Sequence, residues 1–140
     1  MSTSKNKENI RRHVDEIWNK GKLDLIPELI SPKYIVHPNY GDEAKGQDGF
    51  RQLVEMTRTA APDLKFTIES MVAEEDMVAV RYTATGTFTG EIPNFKPTGK
   101  RFKITDAIFH RFEGGKQVEA WTYTDQLSRL RQFGAPLPKE

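Results

Sequence analysis

The sequence predicts an α+β fold in which a curved antiparallel sheet wraps around N-terminal helices as a half-open cone. Helical periodicity dominates the first part of the chain, whereas apolar and polar residues alternate through the second part. Helices followed by a run of strands are typical of this fold class. Because neither a repeat nor a linker interrupts the 140 residues, we expect a single domain over residues 1–140.

Three helices are predicted in the first part. The first has apolar residues at helical spacing and ends near Gly21, which is placed as a terminating glycine. The second is short, begins after Asp24 and is broken by Ser31-Pro32. The third runs from about Gln47 to the segment 61–63, where a proline ends it.

One short strand and a four-stranded meander make up the predicted sheet. Tyr34–His37 is short, β-branched and aromatic, which favours a strand. The meander follows as four alternating segments, over residues 64–72, 78–88, 102–112 and 118–127. Turns at 74–76 and 113–116 and a loop from Pro93 to Gly99 separate them. Long bent strands around a helix leave room for a pocket.

Asp106 is a polar residue on an apolar face, since it lies in phase with Ile104 and Ile108. Burying an unpaired polar group costs about 1–3 kcal/mol, so an aspartate at this position requires a structural or functional explanation. It is either a pocket acid or a buried structural acid bonded to tyrosine or to the backbone. We expect it to face inward and to accept a hydrogen bond from a Tyr, His or Trp side chain.

The last strand presents another acid beside aromatic rings. Side chains alternate with period two, so Trp121, Tyr123 and Asp125 are expected on one face. A carboxylate beside aromatic rings is expected to have a raised pKa and a proton-transfer role; the alternative is that Asp125 caps the segment that follows. His37 is either a pocket acid or base or an ordinary strand-end residue. We expect these four side chains to point into one cavity.

Composition excludes several classes of site. Lys and Arg number 21 against 20 Asp and Glu, and the net charge of +1 gives no sign of a nucleic-acid partner. There is no cysteine, and the histidines and carboxylates form no metal motif. Phosphate-loop and dinucleotide fingerprints are also missing. The sequence therefore predicts no metal and no cofactor. A signal peptide and a membrane span are also missing, so we expect a cytoplasmic protein without a membrane partner.

Short motifs along the chain resemble those of the SnoaL-like polyketide cyclases and ester cyclases of the nuclear-transport-factor-2-like superfamily. The resemblance covers roughly Lys7 to Gly134. It rests on the order and spacing of the segments 17–21, 23–24, 34–38, 46–50, 61–64, 76–81, 86–87, 97–100, 109–112 and 121–125, with Leu130, Gln132 and Gly134 at the end.

This resemblance implies a cone-shaped α+β barrel, a hydrophobic ligand inside it and a homodimer formed through the outer face of the sheet. In characterised cyclases of the family, an aspartate of the last strand moves protons during an intramolecular aldol condensation, and Asp125 matches it. His37 matches a pocket histidine. Phe88 stands where family members often have histidine, which implies a more apolar cavity.

The leading hypothesis is a cofactor-independent cyclase that acts on a hydrophobic, carbonyl-bearing small molecule by acid–base catalysis. Asp125 is the expected acid or base, and His37 or Asp106 the second proton-handling group. The expected walls are Trp121, Tyr123, Phe88, Tyr82, Tyr40 and Trp18. The alternatives are a binding or carrier module with the same cone, and a scaffold whose cone is filled by its own side chains.

The sequence also predicts a homodimer from the opposite phase of the last two strands. That phase is more apolar than a solvated face, since it carries Ala107, Phe109, Val118 and Ala120.

Overall fold

The computed structural model describes residues 2–39, 41–93 and 96–134. Its helices are α1 (Thr3–Arg12), which continues as a π-helical segment (His13–Trp18), a short 3₁₀ turn (Leu23–Leu25), α2 (Ile26–Leu29), α3 (Gly46–Ala60) and α4 (Gln126–Phe133). Its strands are β1 (Ile30–Pro38), β2 (Ala44–Lys45), β3 (Lys65–Glu74), β4 (Met77–Thr87), β5 (Arg101–Glu113) and β6 (Lys116–Thr124). No helix in the described part is long and apolar enough to cross a membrane.

The six strands form one curved, unclosed sheet in the order β2-β1-β6-β5-β4-β3. The predicted α+β class and the antiparallel meander from β3 to β6 are confirmed. The expectation of a wholly antiparallel sheet is wrong, because β1 pairs with β6 in parallel. Parallel neighbours need a long connection, and the chain between β1 and β6 supplies it.

The first helix ends as predicted, whereas the second differs from its prediction. Gly21 has a φ of +71°, in the left-handed region that glycine adopts without strain. α2 is a single turn, and β1 begins at Ile30, so Ser31-Pro32 lies inside a strand. Proline is tolerated there because the pairing of β1 with β6 shifts register between Ile30 and Ile35.

The helices pack on the inner face of the sheet and form the core with it. Val14 of the π-helical segment belongs to one cluster with Val78 and Phe112. Ile17 belongs to a second cluster with Tyr34 and with other residues of β1, α3 and β6. The cavity described below lies between the helices and the inner face of the sheet.

A β-bulge in β6 decides which side chains face this cavity. Phe112 pairs with Gln117, but Arg111 pairs with Glu119, so Val118 is an extra residue on β6. Gln117 and Val118 are therefore both buried. A one-residue shift moves every later side chain of the strand to the opposite face.

Candidate functional site

A cavity of about 390 Å³ lies between the helices and the inner face of the sheet, within the size range of small-molecule sites. Four of the side chains predicted for the site line it, namely Trp18, Tyr82, Phe88 and Asp106. The rest of the lining is mostly apolar and comes from α3, α4 and the strands β1, β4, β5 and β6. The interior is thus suited to a hydrophobic molecule.

Asp106 is the carboxylate of β5 that lines this cavity. It lies between Tyr82 of β4 and Thr124 of β6 in the strand register. Burial raises the pKa of Asp106, while the Thr124 hydroxyl and the charge of Arg129 act to lower it. Neither Oδ1 of Asp106 nor Oγ1 of Thr124 has a hydrogen bond of normal geometry among the described residues.

The inward placement of Asp106 is therefore confirmed. The prediction that its carboxylate accepts a hydrogen bond from a Tyr, His or Trp side chain is wrong. The hydroxyl that acts on the pKa of Asp106 belongs to Thr124, whereas the Tyr82 hydroxyl lies 2.9 Å from Nε2 of His110.

A chain of hydrogen bonds beneath the cavity fixes the tautomer of His110. Nδ2 of Asn9 donates to the carbonyls of Leu29 and Gly115, so its Oδ1 accepts from Nε2 of Gln117 at 2.9 Å. Oε1 of Gln117 therefore accepts from Nδ1 of His110 at 3.0 Å. This leaves Nε2 of His110 as the acceptor for the Tyr82 hydroxyl. Burial lowers the pKa of His110 to about 4, so the ring is neutral near pH 7.

His13 is a second buried histidine on the cavity wall. Burial, with a smaller effect of His110, lowers its pKa to about 3. Nε2 of His13 lies 2.8 Å from Nε1 of Trp18, and Nδ1 lies 2.9 Å from Nε2 of Gln117. A neutral imidazole accepts at only one nitrogen, so one of these two donors lacks an acceptor on His13.

Helix α4 closes one side of the cavity. It contributes Arg129, Leu130 and Phe133 to the lining. Nε of Arg129 donates to Oε1 of Gln126 at 2.9 Å, and its guanidinium carbon lies 5.4 Å from the centroid of the Phe133 ring. The positive charge of Arg129 is thus held at the cavity by neighbours on its own helix.

Trp121 and Tyr123 lie on the outer face of the sheet, so their predicted place in the cavity is wrong. The Val118 bulge is the reason: without it, Trp121 would lie opposite Ile108 and Tyr123 opposite Asp106. With the bulge, Trp121 pairs with Phe109 and Tyr123 with Ala107.

The inner face of β6 consequently carries Ala120, Thr122 and Thr124. Val118 and Ala120, predicted on the outer face, are both buried.

His37 also lies on the outer face, contrary to its predicted place in the cavity. The parallel register sets it opposite Trp121, and the two rings stack with centroids 5.6 Å apart. Its Nε2 lies 2.7 Å from Oε2 of Glu119, and its Nδ1 contacts Glu43. Hydrogen bonds to Glu119 and Glu43 raise the pKa of His37.

Asp125 is the N-cap of α4 and not a cavity residue. Its Oδ1 accepts a hydrogen bond from the backbone nitrogen of Ser128 at 3.0 Å, and the residue is exposed. The alternative interpretation of this residue, a cap after the last strand, is the one that the structure supports. Tyr40, which was predicted as a wall residue, lies outside the described residues.

The site as observed joins one carboxylate of raised pKa, one guanidinium and several hydroxyls inside an apolar chamber. Within the described ranges, no three His, Asp or Glu side chains are grouped so that they could hold a metal ion. The site predicted from the sequence did not include Thr124, Arg129 or His110. The alternation of side chains along β5 could have predicted the inward placement of His110, because it puts this residue on the same face as Asp106.

Comparisons with known proteins agree with this architecture. The sequence profile of SnoaL-like polyketide cyclases matches residues 8–133. The aklanonic acid methyl ester cyclase of Streptomyces peucetius is 28% identical over 134 residues, which cover 92% of this chain and 90% of that protein.

Two solved structures are also similar. A candidate polyketide cyclase of Acidithiobacillus ferrooxidans has 32% identity and a TM-score of 0.81, covering 96% of this chain and 98% of that one. A candidate hydroxylase of Streptomyces galilaeus has 32% identity and a TM-score of 0.81, with coverages of 98% and 100%.

Proposed function

The chain belongs to the SnoaL-like polyketide cyclase family, and from that premise we propose that it cyclises a hydrophobic, carbonyl-bearing molecule by acid–base catalysis. Asp106 is the proposed proton-transferring group. The observation that carries the proposal is a carboxylate of raised pKa in the wall of an apolar cavity. Carboxylic acids whose pKa is raised by burial are one established kind of proton-transfer group in enzymes.

The proposed reaction is an intramolecular aldol addition. The ionised carboxylate of Asp106 removes a proton from a carbon flanked by carbonyl groups, which leaves an enolate. The enolate carbon attacks a ketone carbon of the same molecule, so that a carbon–carbon bond forms while the carbonyl π bond breaks. The new alkoxide then takes the proton from Asp106, and the product is an isomer of the substrate.

The neighbouring hydroxyls have a distinct role in this proposal. Thr124 Oγ1 has no hydrogen bond of normal geometry among the described residues, so it can donate to the enolate or alkoxide oxygen. Tyr82 is a weaker candidate, because its proton is directed toward Nε2 of His110. The neutral His110 orients Tyr82 and does not supply a proton to the ligand.

The curated relatives support the substrate class. They are cyclases named for a methyl ester of aklanonic acid, and an apolar chamber suits a molecule of that kind. A β-keto ester carries the acidic carbon that the proposed first step requires. We therefore place this protein's substrate among polyketide-like keto acids and esters.

The Asp106→Asn variant tests the proposal. The amide keeps the volume of the side chain but cannot transfer a proton, so turnover should fall by about 10²–10⁴-fold. The assay follows a panel of polyketide-like β-keto esters by mass spectrometry and NMR, since cyclisation leaves the mass unchanged and a hydroxylation would add an oxygen atom.

Asp125→Asn is the matched control. Asp125 is also an aspartate and directly follows β6, but it caps α4 and lies outside the cavity lining. It should keep wild-type turnover. Full activity of Asp106→Asn would reject the role of Asp106, whatever the activity of Asp125→Asn. A protein that binds the panel without converting any member would be a binding or carrier module instead.

A further inference from the structure

We propose that His13 and Trp18 bind a carbonyl oxygen of the ligand through their side-chain N–H groups. The inference rests on the proposed function only in taking the cavity as the substrate site. It goes beyond that function by naming two donors and the uncharged acceptor, a ketone or ester carbonyl, that they select.

The π-helical segment brings the two side chains together. It runs from His13 to Trp18, and the backbone nitrogen of Asn19 donates to the carbonyl of Val14, five residues earlier, at 2.9 Å. In a regular α-helix, residues five apart point about 140° away from each other. The wider π-helical turn reduces this angle, and such turns are frequent at functional sites. Both side chains consequently line the cavity.

The hydrogen bonds beneath the cavity place the proton of His13 on Nε2. Nδ2 of Asn9 donates to two backbone carbonyls, so its Oδ1 is left to accept from Gln117. The two protons of the Gln117 amide are then directed to Oδ1 of Asn9 and Nδ1 of His13, each 2.9 Å from the amide nitrogen. Burial lowers the pKa of His13 to about 3, so the ring is neutral. Its single proton therefore lies on Nε2.

Two donors face each other on the cavity wall as a result. Nε2 of His13 lies 2.8 Å from Nε1 of Trp18, and an indole nitrogen can only donate. His13 is 4% exposed, and within the described part of the chain no acceptor contacts either N–H group. Buried donors without an acceptor are rare because they are costly. The pair therefore lacks an acceptor, which a ligand in the cavity can provide.

A carbonyl oxygen has the properties that this pair requires. It has two lone pairs and can accept from two N–H groups at once, after small rotations turn both groups toward it. The pair supplies no positive charge that would offset the desolvation of a carboxylate. Two N–H groups directed at one oxygen also polarise the carbonyl, as the donors of an oxyanion hole do. A ketone or a methyl ester therefore suits this site better than a free acid.

Other contacts hold the Trp18 ring in place independently of the ligand. It packs edge-on against Phe50 and Phe66, with ring centroids 5.8 and 5.1 Å away. Nη1 of Arg58 donates to the carbonyls of Trp18 and Asn19 at 2.7 and 3.1 Å, which fixes the end of the π-helical segment. Because these contacts are already made, the ring loses little conformational entropy when a ligand binds.

The test compares two uncharged probes of nearly equal shape, methyl naphthyl ketone and isopropenylnaphthalene, in which a methylene group replaces the carbonyl oxygen. Titration calorimetry should show that the ketone binds about fivefold more tightly to the wild type, because one hydrogen bond contributes on that order. Trp18→Phe keeps an aromatic wall but removes one donor, so this ratio should fall by about half or more. Trp121→Phe, on the outer face of the sheet, should keep the wild-type ratio.

Nuclear magnetic resonance of the wild type keeps the inference falsifiable if Trp18→Phe does not fold. Long-range proton–nitrogen spectra should show the proton of His13 on Nε2 and the proton of His110 on Nδ1, because Gln117 accepts from His110. The ketone should shift the indole N–H resonance of Trp18 downfield relative to the alkene. The indole resonance of Trp121 should be the same with both probes.

Each of three results would overturn the inference: equal affinities of the wild type for both probes, an unchanged ratio in Trp18→Phe, or a proton on Nδ1 of His13. Failure of the proposed function would give a different pattern, because neither probe can cyclise. If turnover is independent of Asp106 while the ketone preference depends on Trp18, the acid–base role is wrong and the carbonyl site remains. If Asp106→Asn abolishes turnover but both probes bind equally, the carbonyl site is wrong and the catalytic role remains.

Discussion

Asp106 and His110 lie four residues apart on β5, and burial changes their chemistry in parallel ways. It raises the pKa of the carboxyl group and lowers the pKa of the imidazole, because a desolvated group favours its neutral form. The site therefore has a carboxyl group that ionises less readily than usual and a histidine that stays uncharged near pH 7. In the proposed reaction, the aspartate therefore transfers the proton and the histidine acts only as a hydrogen-bonding partner.

At the scale of single residues, the sequence predicted the inward acid of β5 and missed its partners. Asp106 stands out because it interrupts an apolar phase. Thr124 and Arg129 do not stand out, since threonine is common in strands and arginine on helix surfaces. Their importance depends on the register of β6 and on the packing of α4, which residue type alone cannot reveal.

The two buried histidines predict an acid-sensitive stability. The pKa values of His13 and His110 are lowered to about 3 and about 4 in the folded protein, against about 6.5 in an unfolded chain. As the pH falls below about 6.5, the unfolded state binds protons that the folded state does not. The free energy of unfolding should therefore fall by up to about 1.4 kcal/mol per pH unit for each histidine. Urea unfolding at a series of pH values measures this slope.

His37→Asn is the control for that slope. The pKa of His37 is raised by Glu119 and Glu43, so its contribution has the opposite sign and is lost as the pH rises through its folded pKa. Above a pH of about 5 most carboxylates remain ionised. The change in stability between about pH 6.5 and pH 5 therefore comes mainly from the histidines. A stability that stays constant across this interval, in the wild type and in His37→Asn, would contradict the prediction.

At the scale of elements, β6 shows why the predicted site was only partly correct. Glu113 pairs with Lys116 and Phe112 with Gln117, as the hairpin sequence indicates, but the bulge at Val118 then shifts the register. Nothing in the residues 116–124 distinguishes the bulged strand from a regular one, because either register gives an alternating pattern. The folded strand contains the bulge, and Trp121 and Tyr123 face outward as a result.

Helix α4 depends on its N-cap, and this predicts the effect of replacing Asp125. Asp125→Ala should lower the free energy of unfolding by about 1 kcal/mol, because the backbone nitrogen of Ser128 loses its acceptor. Asp125→Asn should retain most of the stability, since an amide oxygen also caps. Urea unfolding of the two variants checks the difference. If Asp125→Ala proves as stable as the wild type, the capping role of Asp125 is wrong.

At the scale of the whole molecule, the two faces of the sheet carry different kinds of side chains. Its inner face holds the cavity with Asp106, while its outer face carries Trp121 stacked on His37 and the edge-to-face pair of Phe109 and Tyr123. The inner face thus provides the proposed reaction site, and the outer face provides an aromatic surface that has no place in the reaction.

This outer surface is the basis for proposing a homodimer. Phe109 and Tyr123 are 43% and 50% exposed, and their ring centroids lie 6.1 Å apart. Exposed neighbouring aromatics are typical of protein interfaces. We therefore expect sedimentation at micromolar concentration to give twice the chain mass of 16.0 kDa, and Phe109→Ser to shift the population toward the monomer.

Leu127→Ser is the matched control for Phe109→Ser, because Leu127 is 46% exposed but lies on α4 and not on a strand of the sheet. It should sediment like the wild type, which would show that the loss of one exposed apolar side chain does not by itself change the assembly. A wild-type protein that sediments as a single species of 16.0 kDa would reject the dimer. The aromatic outer face would then be a solvent-exposed surface of a monomer.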